Sequence, residues 1–324
     1  MAGDTRIAGH IGKQRMLRSC RYARSMWQSL VMMGWNVMKI CVSCLNGFVG
    51  DGWKCPYCGN SPDIPNGIAV LASTATDSND GFSPELFGQL YHLEENHFWF
   101  QFRNKLIAWA FEKHFKGARN FFEIGCGNGV VLKHFESKFP DLDLTGSDIF
   151  MEGLKFARNR LSRVTLNQID LRSIPFENEF DVVGMFDVLE HVTEDESALK
   201  EVYKAVKSKG GVIITVPQHP ALWSETDEVA FHKRRYTRNE LRVKLMRAGF
   251  DIVSISSFMT ILLPLMIANR LFRKSGACGG TGELEMPLFL NYLLGRICAI
   301  ELPIIRAGVS LPFGGSLLAI AKKP

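Results

Sequence analysis

Three groups of residues in this chain have the types and spacing to do chemistry. The first is Glu123-Ile124-Gly125-Cys126-Gly127-Asn128-Gly129, a glycine turn. Without a Cβ at its glycines, such a turn lets the backbone approach a ligand closely, and a helix beginning there aims free N–H groups at it. Asp148, 19 residues after Gly129, stands where a carboxylate takes a ribose diol. The second group is Asp187-Val188-Leu189-Glu190-His191-Val192, two carboxylates and an imidazole within one short run, joined later by His232-Lys233-Arg234-Arg235-Tyr236-Thr237. The third is Cys41-Val42-Ser43-Cys44 and Cys55-Pro56-Tyr57-Cys58, two knuckles with ten residues between them. Each knuckle brings two thiolates to one ion, and Cys41, Cys44, Cys55 and Cys58 together would close a tetrahedral structural zinc site with no open position. Two redox dithiols are the alternative for this pattern.

These residues need strands and helices to position them. Phe121, Phe122 and Ile124 read as a short strand leading into the glycine turn, and Val131, Leu132, Phe135 and Phe139 repeat at helical spacing after it. Asp148 ends a second apolar stretch that includes Leu142 and Leu144; Asp170-Leu171 follows a third, Val164 to Ile169; and Phe180 to Asp187 is a fourth. A helix is predicted over 195–207, with Lys207-Ser208-Lys209-Gly210-Gly211 as its cap, then a strand over Val212 to Val216. A capped helix from Thr237 to Ala248, a strand from Phe250 to Ser256 and a last strand from Ser316 to Lys322 complete the alternation. Ahead of the glycine turn, Ile107, Ala108, Phe111 and Phe115 mark an amphipathic helix. Alternating strands and helices of this kind make an α/β, doubly wound sheet.

The domain boundaries follow from composition. Residues 1–37 are Arg-rich and acid-poor and read as an extension outside the fold, with a transit peptide as the alternative. Residues 38–62 hold the cysteines, and 63–84 is rich in Pro, Gly, Ser, Asn and Asp, a linker in which Ile68 to Leu71 could add one strand. The main domain spans 85–324 and contains an apolar helical insertion, 258–313. The apolar runs of that insertion fall short of the ~20 clean apolar residues of a spanning helix. Three readings fit them: an ordinary helical subdomain, a wall for a hydrophobic acceptor, or an interfacial patch.

Glu-Ile-Gly-Cys-Gly-Asn-Gly, Asp148, Asp170-Leu171 and Asp187-Val-Leu-Glu-His-Val resemble the class I S-adenosylmethionine-dependent methyltransferases. The last run is similar to the branch containing the ubiquinone-pathway O-methyltransferases. The resemblance implies a seven-stranded Rossmann-like methyltransferase sheet. It further implies S-adenosyl-L-methionine held by Glu123, Gly125, Cys126, Gly127, Asn128, Gly129, Asp148, Ile149, Asp170, Leu171 and Phe186, with Asp148 on the ribose and Asp170 on the adenine amine. His97-Phe98-Trp99-Phe100 and Arg103 resemble the segment lying over the cofactor, where Arg103 either meets the methionine carboxylate or makes a structural ion pair. Methyl transfer is an in-line displacement served mainly by positioning, and a hydroxyl acceptor also needs a base. His191 is the first candidate, Asp187 the second and His232 a rival, with Arg235 or Tyr236 holding the acceptor. Against these stand two plainer readings, that Glu190 and His191 cap a helix and that 232–237 is a solvated turn. In some relatives a Glu/His cluster here holds a divalent ion.

Composition narrows the partners. The formal net charge is +5, but residues 1–37 carry six Lys/Arg and one acid, which leaves the remainder neutral. A neutral body argues against non-specific phosphate binding and so against nucleic acid. Paired cysteines read as metal ligands of a reducing compartment, and the expectation is a cytoplasmic protein with peripheral membrane contact through 258–306. The expected function is methyl transfer to a small hydrophobic or lipid-linked acceptor, at oxygen. The rivals are an RNA base methyltransferase that uses the zinc ribbon for recognition, and a non-catalytic zinc-ribbon interaction protein.

Overall fold

The computed structural model describes residues 38–50, 52–72, 84–272 and 286–324. The extension read over 1–37, most of the linker and the middle of the apolar insertion therefore lie outside the described residues. In chain order the elements begin with strands β1 (Met38–Ile40), β2 (Gly47–Val49) and β3 (Ile68–Val70), then helices α1 (Pro84–Leu93) and α2 (Phe98–His114). The alternating part runs β4 (Asn120–Ile124), α3 (Val130–Lys138), β5 (Asp143–Asp148), α4 (Met151–Arg160), β6 (Thr165–Gln168) and β7 (Phe180–Phe186). It continues with α5 (Asp195–Ala205), β8 (Val206–Pro217), α6 (Glu225–Val229), α7 (Arg238–Ala248) and β9 (Asp251–Phe258). Helices α8 (Leu263–Phe272) and α9 (Leu288–Arg306) precede β10 (Ser316–Lys322).

The main sheet has the order β3-β6-β5-β4-β7-β8-β10-β9, eight strands where seven were expected. The additional one is β3, from the stretch read as a linker. Ile68, Ala69 and Leu71 are buried, and β3 pairs parallel with β6 in the register Ile68↔Leu166. An apolar run beside an open sheet edge gains both burial and ladder bonds by joining it. Only β10 runs antiparallel to its neighbours, β8 and β9. The reversal of winding between β4 and β7 opens a crevice at the carboxyl ends of the strands.

Successive residues of β4 serve opposite faces, as strand geometry requires. Phe121 packs with Phe111, Phe135 and Leu132 under α2 and α3, while Phe122 packs with Phe176, Phe180 and the α5–α7 side. One prediction fails here. Helix α5 ends at Ala205, and Lys207 to Gly211 belong to the long strand β8 rather than to a helix cap. Lys207 pairs with Asp181 at 3.1 Å, and Lys209 (φ 66°) donates its N–H to Lys323 O, so partners across the sheet take the segment over. The α7 prediction holds: the Thr237 hydroxyl accepts from Glu240 N, and Gly249 closes the helix at φ 105°.

The cysteine-bearing segment is a two-stranded hairpin, β1 with β2, packed on the main domain. Ile40 N donates to Pro175 O, and Trp53 sets its ring edge-on to Phe176 at 5.5 Å.

Candidate active site

A cavity of about 680 Å³ lies at the carboxyl ends of β4, β5 and β7, roofed by α1 and the start of α2. Its walls bring together Glu123, Gly125, Cys126, Gly127, Asn128, Asp148, Ile149, Asp170, Leu171, Phe186 and Arg103, and also Asp187, His191 and His232. Residues far apart in the sequence thus share one space. Gly129 does not line it: it is the left-handed N-cap of α3 (φ 76°), and a Cβ there would come within 2.8 Å of Leu161. Its lack of a side chain serves helix packing, not close approach to a ligand.

At one end the glycine turn is held from behind. Gly125 has φ 70°, and a Cβ on it would meet Val188 at 2.3 Å, so only glycine fits. The Asp148 carboxylate accepts from Gly127 N at 2.8 Å and from Phe150 N at 2.9 Å, which shapes the turn as well as facing the cavity. Burial pushes its pKa up to about 6. Asp170 is gripped by the Arg172 guanidinium at 2.8–3.0 Å. Asn128 turns its amide away to Phe87 O at 2.9 Å, anchoring α1 over the turn. Glu123 is fully buried, its Oε2 has no hydrogen-bond partner, and burial holds its carboxyl far above the usual range. A buried acceptor of this kind in a cavity wall suits a ligand donor.

Sequence reasoning missed the fastening of the roof. Arg160 donates to Glu94 at 2.6 Å, to Asn128 O at 3.0 Å and to Tyr91 O at 2.6 Å, a buried knot joining α1, α4 and the glycine turn. An arginine late in an otherwise polar helix gives little hint of this. Arg103, stacked 4.6 Å from the Trp99 ring, forms its ion pair with Asp187. Asp187 itself sits at φ 58°, a conformation a non-glycine residue holds only when its surroundings impose it.

At the other end Glu190 and His191 form a short 3₁₀ turn, Leu189–His191, and α5 starts only at Asp195. They do not cap that helix. Glu190 is fully buried with both oxygens unpartnered, and burial together with the Asp187 charge holds its carboxyl well above the normal range. His191 packs edge-on to His232 with ring centroids 4.8 Å apart. Burial first, then the His232 and Lys233 charges, press its pKa down to about 3. His232 shares its Nδ1 with Asp227 Oδ1 at 2.8 Å, and its Nε2 lies 3.9 Å from Glu190 Oε1. Burial alone would raise Asp227, but the His232 hydrogen bond and the Arg235 guanidinium, 2.8 Å away, bring it to about 2. Arg235 and Tyr236 are thus internal struts: Tyr236 is fully buried and donates to Asp195 at 2.7 Å. Neither lines the cavity. Asp227 is the residue of this cluster hardest to see in advance, since only its place three residues after Ser224, whose N–H it accepts at 2.8 Å, marks it.

Among the described residues, two donor sets have the spacing to hold a metal: Glu190, His191 and His232, and the four cysteines. In the first, Asp187 is not a member; it pairs with Arg103 instead. In the second, Cys41–Cys58 and Cys44–Cys55 sulfurs lie 3.6 and 3.7 Å apart. A tetrahedral zinc with Zn–S near 2.3 Å requires sulfurs about 3.8 Å apart, so the set fits.

Residues 122–214 match the methyltransferase domain family. Among curated proteins, the chain is 31% identical over 103 residues to the dTDP-3-amino-3,4,6-trideoxy-alpha-D-glucopyranose N,N-dimethyltransferase of Streptomyces venezuelae, covering 31% of this chain and 43% of that protein. It is 30% identical over 100 residues to the ubiquinone biosynthesis O-methyltransferase of Nitrosomonas europaea, covering 29% and 41%. It is 25% identical over 163 residues to the ajmaline N-methyltransferase of Rauvolfia serpentina, covering 47% and 53%. The chain therefore spans about half the length of these relatives. Among solved structures, the complex between the Haloferax volcanii Trm112 methyltransferase activator and its methyltransferase is similar in fold, with TM-score 0.50, 17% identity and coverage of 74% of this chain and 97% of that one. The match to the methyltransferase domain family covers residues 122–214, within a Rossmann-like methyltransferase fold.

Proposed function

We propose that the protein is an S-adenosylmethionine-dependent methyltransferase acting on a hydroxyl of a small hydrophobic or lipid-linked acceptor. The observation that carries this reading is the asymmetry of the cavity. The glycine turn, Glu123 and Asp148 line one part of it, His191 and His232 of the Glu190–His191–His232 cluster another, and Met259, Leu262, Met266 and Met286 a third. The first set suits a charged nucleoside, and the methionines suit an apolar body that varies in shape.

S-adenosylmethionine, when bound, supplies an electrophilic methyl group. The backbone of Gly125 and Gly127 would hold its amino-acid end, Asp148 its ribose, and Ile149, Asp170, Leu171 and Phe186 its adenine. Glu123 Oε2 offers an acceptor to the amino group, and Arg103, already engaged by Asp187, orients that acid beside it. The base is His232 rather than His191. With a pKa near 3, His191 accepts a proton too weakly to draw one from an alcohol. Asp227, ionised and bonded to Nδ1, fixes the His232 tautomer that leaves Nε2 facing Glu190, and it stabilises the imidazolium once formed. The likeness to the ubiquinone branch supports oxygen as the reacting atom. The four cysteines would hold a structural zinc that secures the hairpin.

The test is transfer of a radiolabelled methyl group into a cell extract fractionated into lipid, RNA, protein and small-molecule pools. Label in the apolar pools, lost in His232→Asn, supports the reading. Label in RNA overturns the acceptor, and absence of both label and cofactor binding overturns the activity.

A further inference from the structure

We infer that α8 and α9 form a docking surface for an anionic phospholipid bilayer, on which the protein lies with its cavity beside the membrane. The inference rests on the apolar acceptor proposed above but is carried by a different part of the molecule. Helix α9 has two apolar sides. Leu294, Cys298, Leu302 and Ile305 are buried at successive turns and pack it along its length on the main domain, where α2 is its neighbour. Asn291 fastens its first turn, accepting from Phe98 N at 2.8 Å and donating to Asn96 O at 2.9 Å. The opposite side presents Leu288, Phe289, Tyr292 and Ile300, which are 84%, 75%, 65% and 61% exposed. Leu265 of α8 adds to the same kind of surface at 55%. A helix that is apolar all round belongs in a core or against lipid, and among the described residues protein covers one side only.

Charge selects the occupant. From Leu288 to Ser310 the chain carries Arg296 and Arg306, both exposed, and one acid, Glu301, which is 1% exposed and accepts from Thr260 N at 2.9 Å. No exposed carboxylate lies on α9, and neither arginine has an ion-pair partner among the described residues. Apolar side chains interrupted only by arginines match the boundary between acyl chains and anionic headgroups. A second copy docked through the same helix would bring no exposed α9 carboxylate to match those two guanidinium groups, whereas anionic headgroups supply the charge. Helix α9 has the length and hydropathy to cross a membrane, but the packing of Leu294 through Ile305 holds it flat on the domain. The surface also borders the cavity, since Leu262, Met266 and Met286, at the ends of α8 and α9, line its wall. An acceptor with a hydrocarbon tail could then leave the bilayer without crossing water.

The experiment is co-sedimentation of the full chain with phosphatidylcholine vesicles, with and without one quarter phosphatidylglycerol, together with calorimetry of S-adenosylmethionine. Binding should be at least about tenfold stronger to the anionic vesicles and weaken with salt. Phe289→Glu with Leu293→Glu should reduce it at least about tenfold, and Arg296→Gln with Arg306→Gln should remove the anionic preference. Both variants should keep the wild-type melting temperature and cofactor affinity, so that loss of docking is separable from loss of fold or activity. Three outcomes overturn the inference: wild-type protein remaining in the supernatant, the double glutamate variant sedimenting like wild type, or a dimer that the same variant dissociates. Lost cofactor binding with intact vesicle binding would instead remove the enzyme and leave the surface.

Discussion

The two ends of the cavity are satisfied in different ways. At the glycine-turn end most polar groups already have protein partners: Asp148 takes two backbone N–H groups, Asp170 takes Arg172, and Asn128 ties down α1. Glu123 Oε2 and Asn128 Oδ1 are exceptions. At the opposite end both Glu190 oxygens are buried without a partner, and His191 is held uncharged by burial. Unsatisfied buried groups cost stability and persist where something else completes them. One end is therefore largely shaped by the protein's own hydrogen bonds, while the other keeps a buried carboxyl with no hydrogen bond at all.

Four measurements would break or sharpen this contrast. Asp148→Ala removes the acceptor of two backbone donors and a ribose partner, and cofactor affinity measured by calorimetry should fall at least about 100-fold, since charge-assisted bonds are the strong ones. Unchanged affinity would mean that this shaping does not serve the cofactor. Next, Asp227→Asn should lower the methyl-transfer rate by roughly 100-fold, the scale of losing a positioned base, while leaving cofactor affinity intact. Equal losses in binding and rate would place Asp227 in the scaffold alone.

The third concerns pH. His191 sits at about 3 in the fold against an ordinary 6.5, so the unfolded chain takes up its proton first. Its contribution to stability is complete near neutrality and drains away as pH falls from 6.5 towards 3, by up to about 1.4 kcal/mol per pH unit for a buried group. Glu190, held above 4.5, behaves oppositely: its contribution is complete below 4.5 and is lost as pH rises. In thermal melts, His191→Asn should gain on wild type as pH is lowered from 7 to about 5, and Glu190→Gln should gain as it is raised over the same span. Parallel curves would remove the claim that this end is electrostatically incomplete. Smallest of all, Arg172→Ala should change cofactor affinity less than about fivefold, because a half-exposed ion pair contributes little.

Much of this was legible in advance, and the reasons are local. β4, the turn and α3 share one continuous stretch, so the change from strand to helical periodicity at Gly129–Val130 reads directly. The paired cysteines announce themselves by spacing alone. What stayed hidden depends on partners remote in the chain. Lys207 to Gly211 looked like a helix cap until Asp181 and Lys323 claimed them. The Arg103–Asp187 pair spans 84 residues and the Arg160–Glu94 pair 66. His232 was visible as a candidate, but its bond to Asp227 is not written in the local pattern.

The placement of β10 has a consequence for how the molecule is made. Among the described residues β9 has no ladder partner other than β10, which is synthesised after it and after the whole apolar insertion. Until that strand leaves the ribosome, β8 keeps a bare edge and the greasy helices have no finished sheet beside them. Such a nascent chain is a natural client for a holdase chaperone, and its yield on expression should respond to chaperone supply more than the stability of the finished fold would suggest.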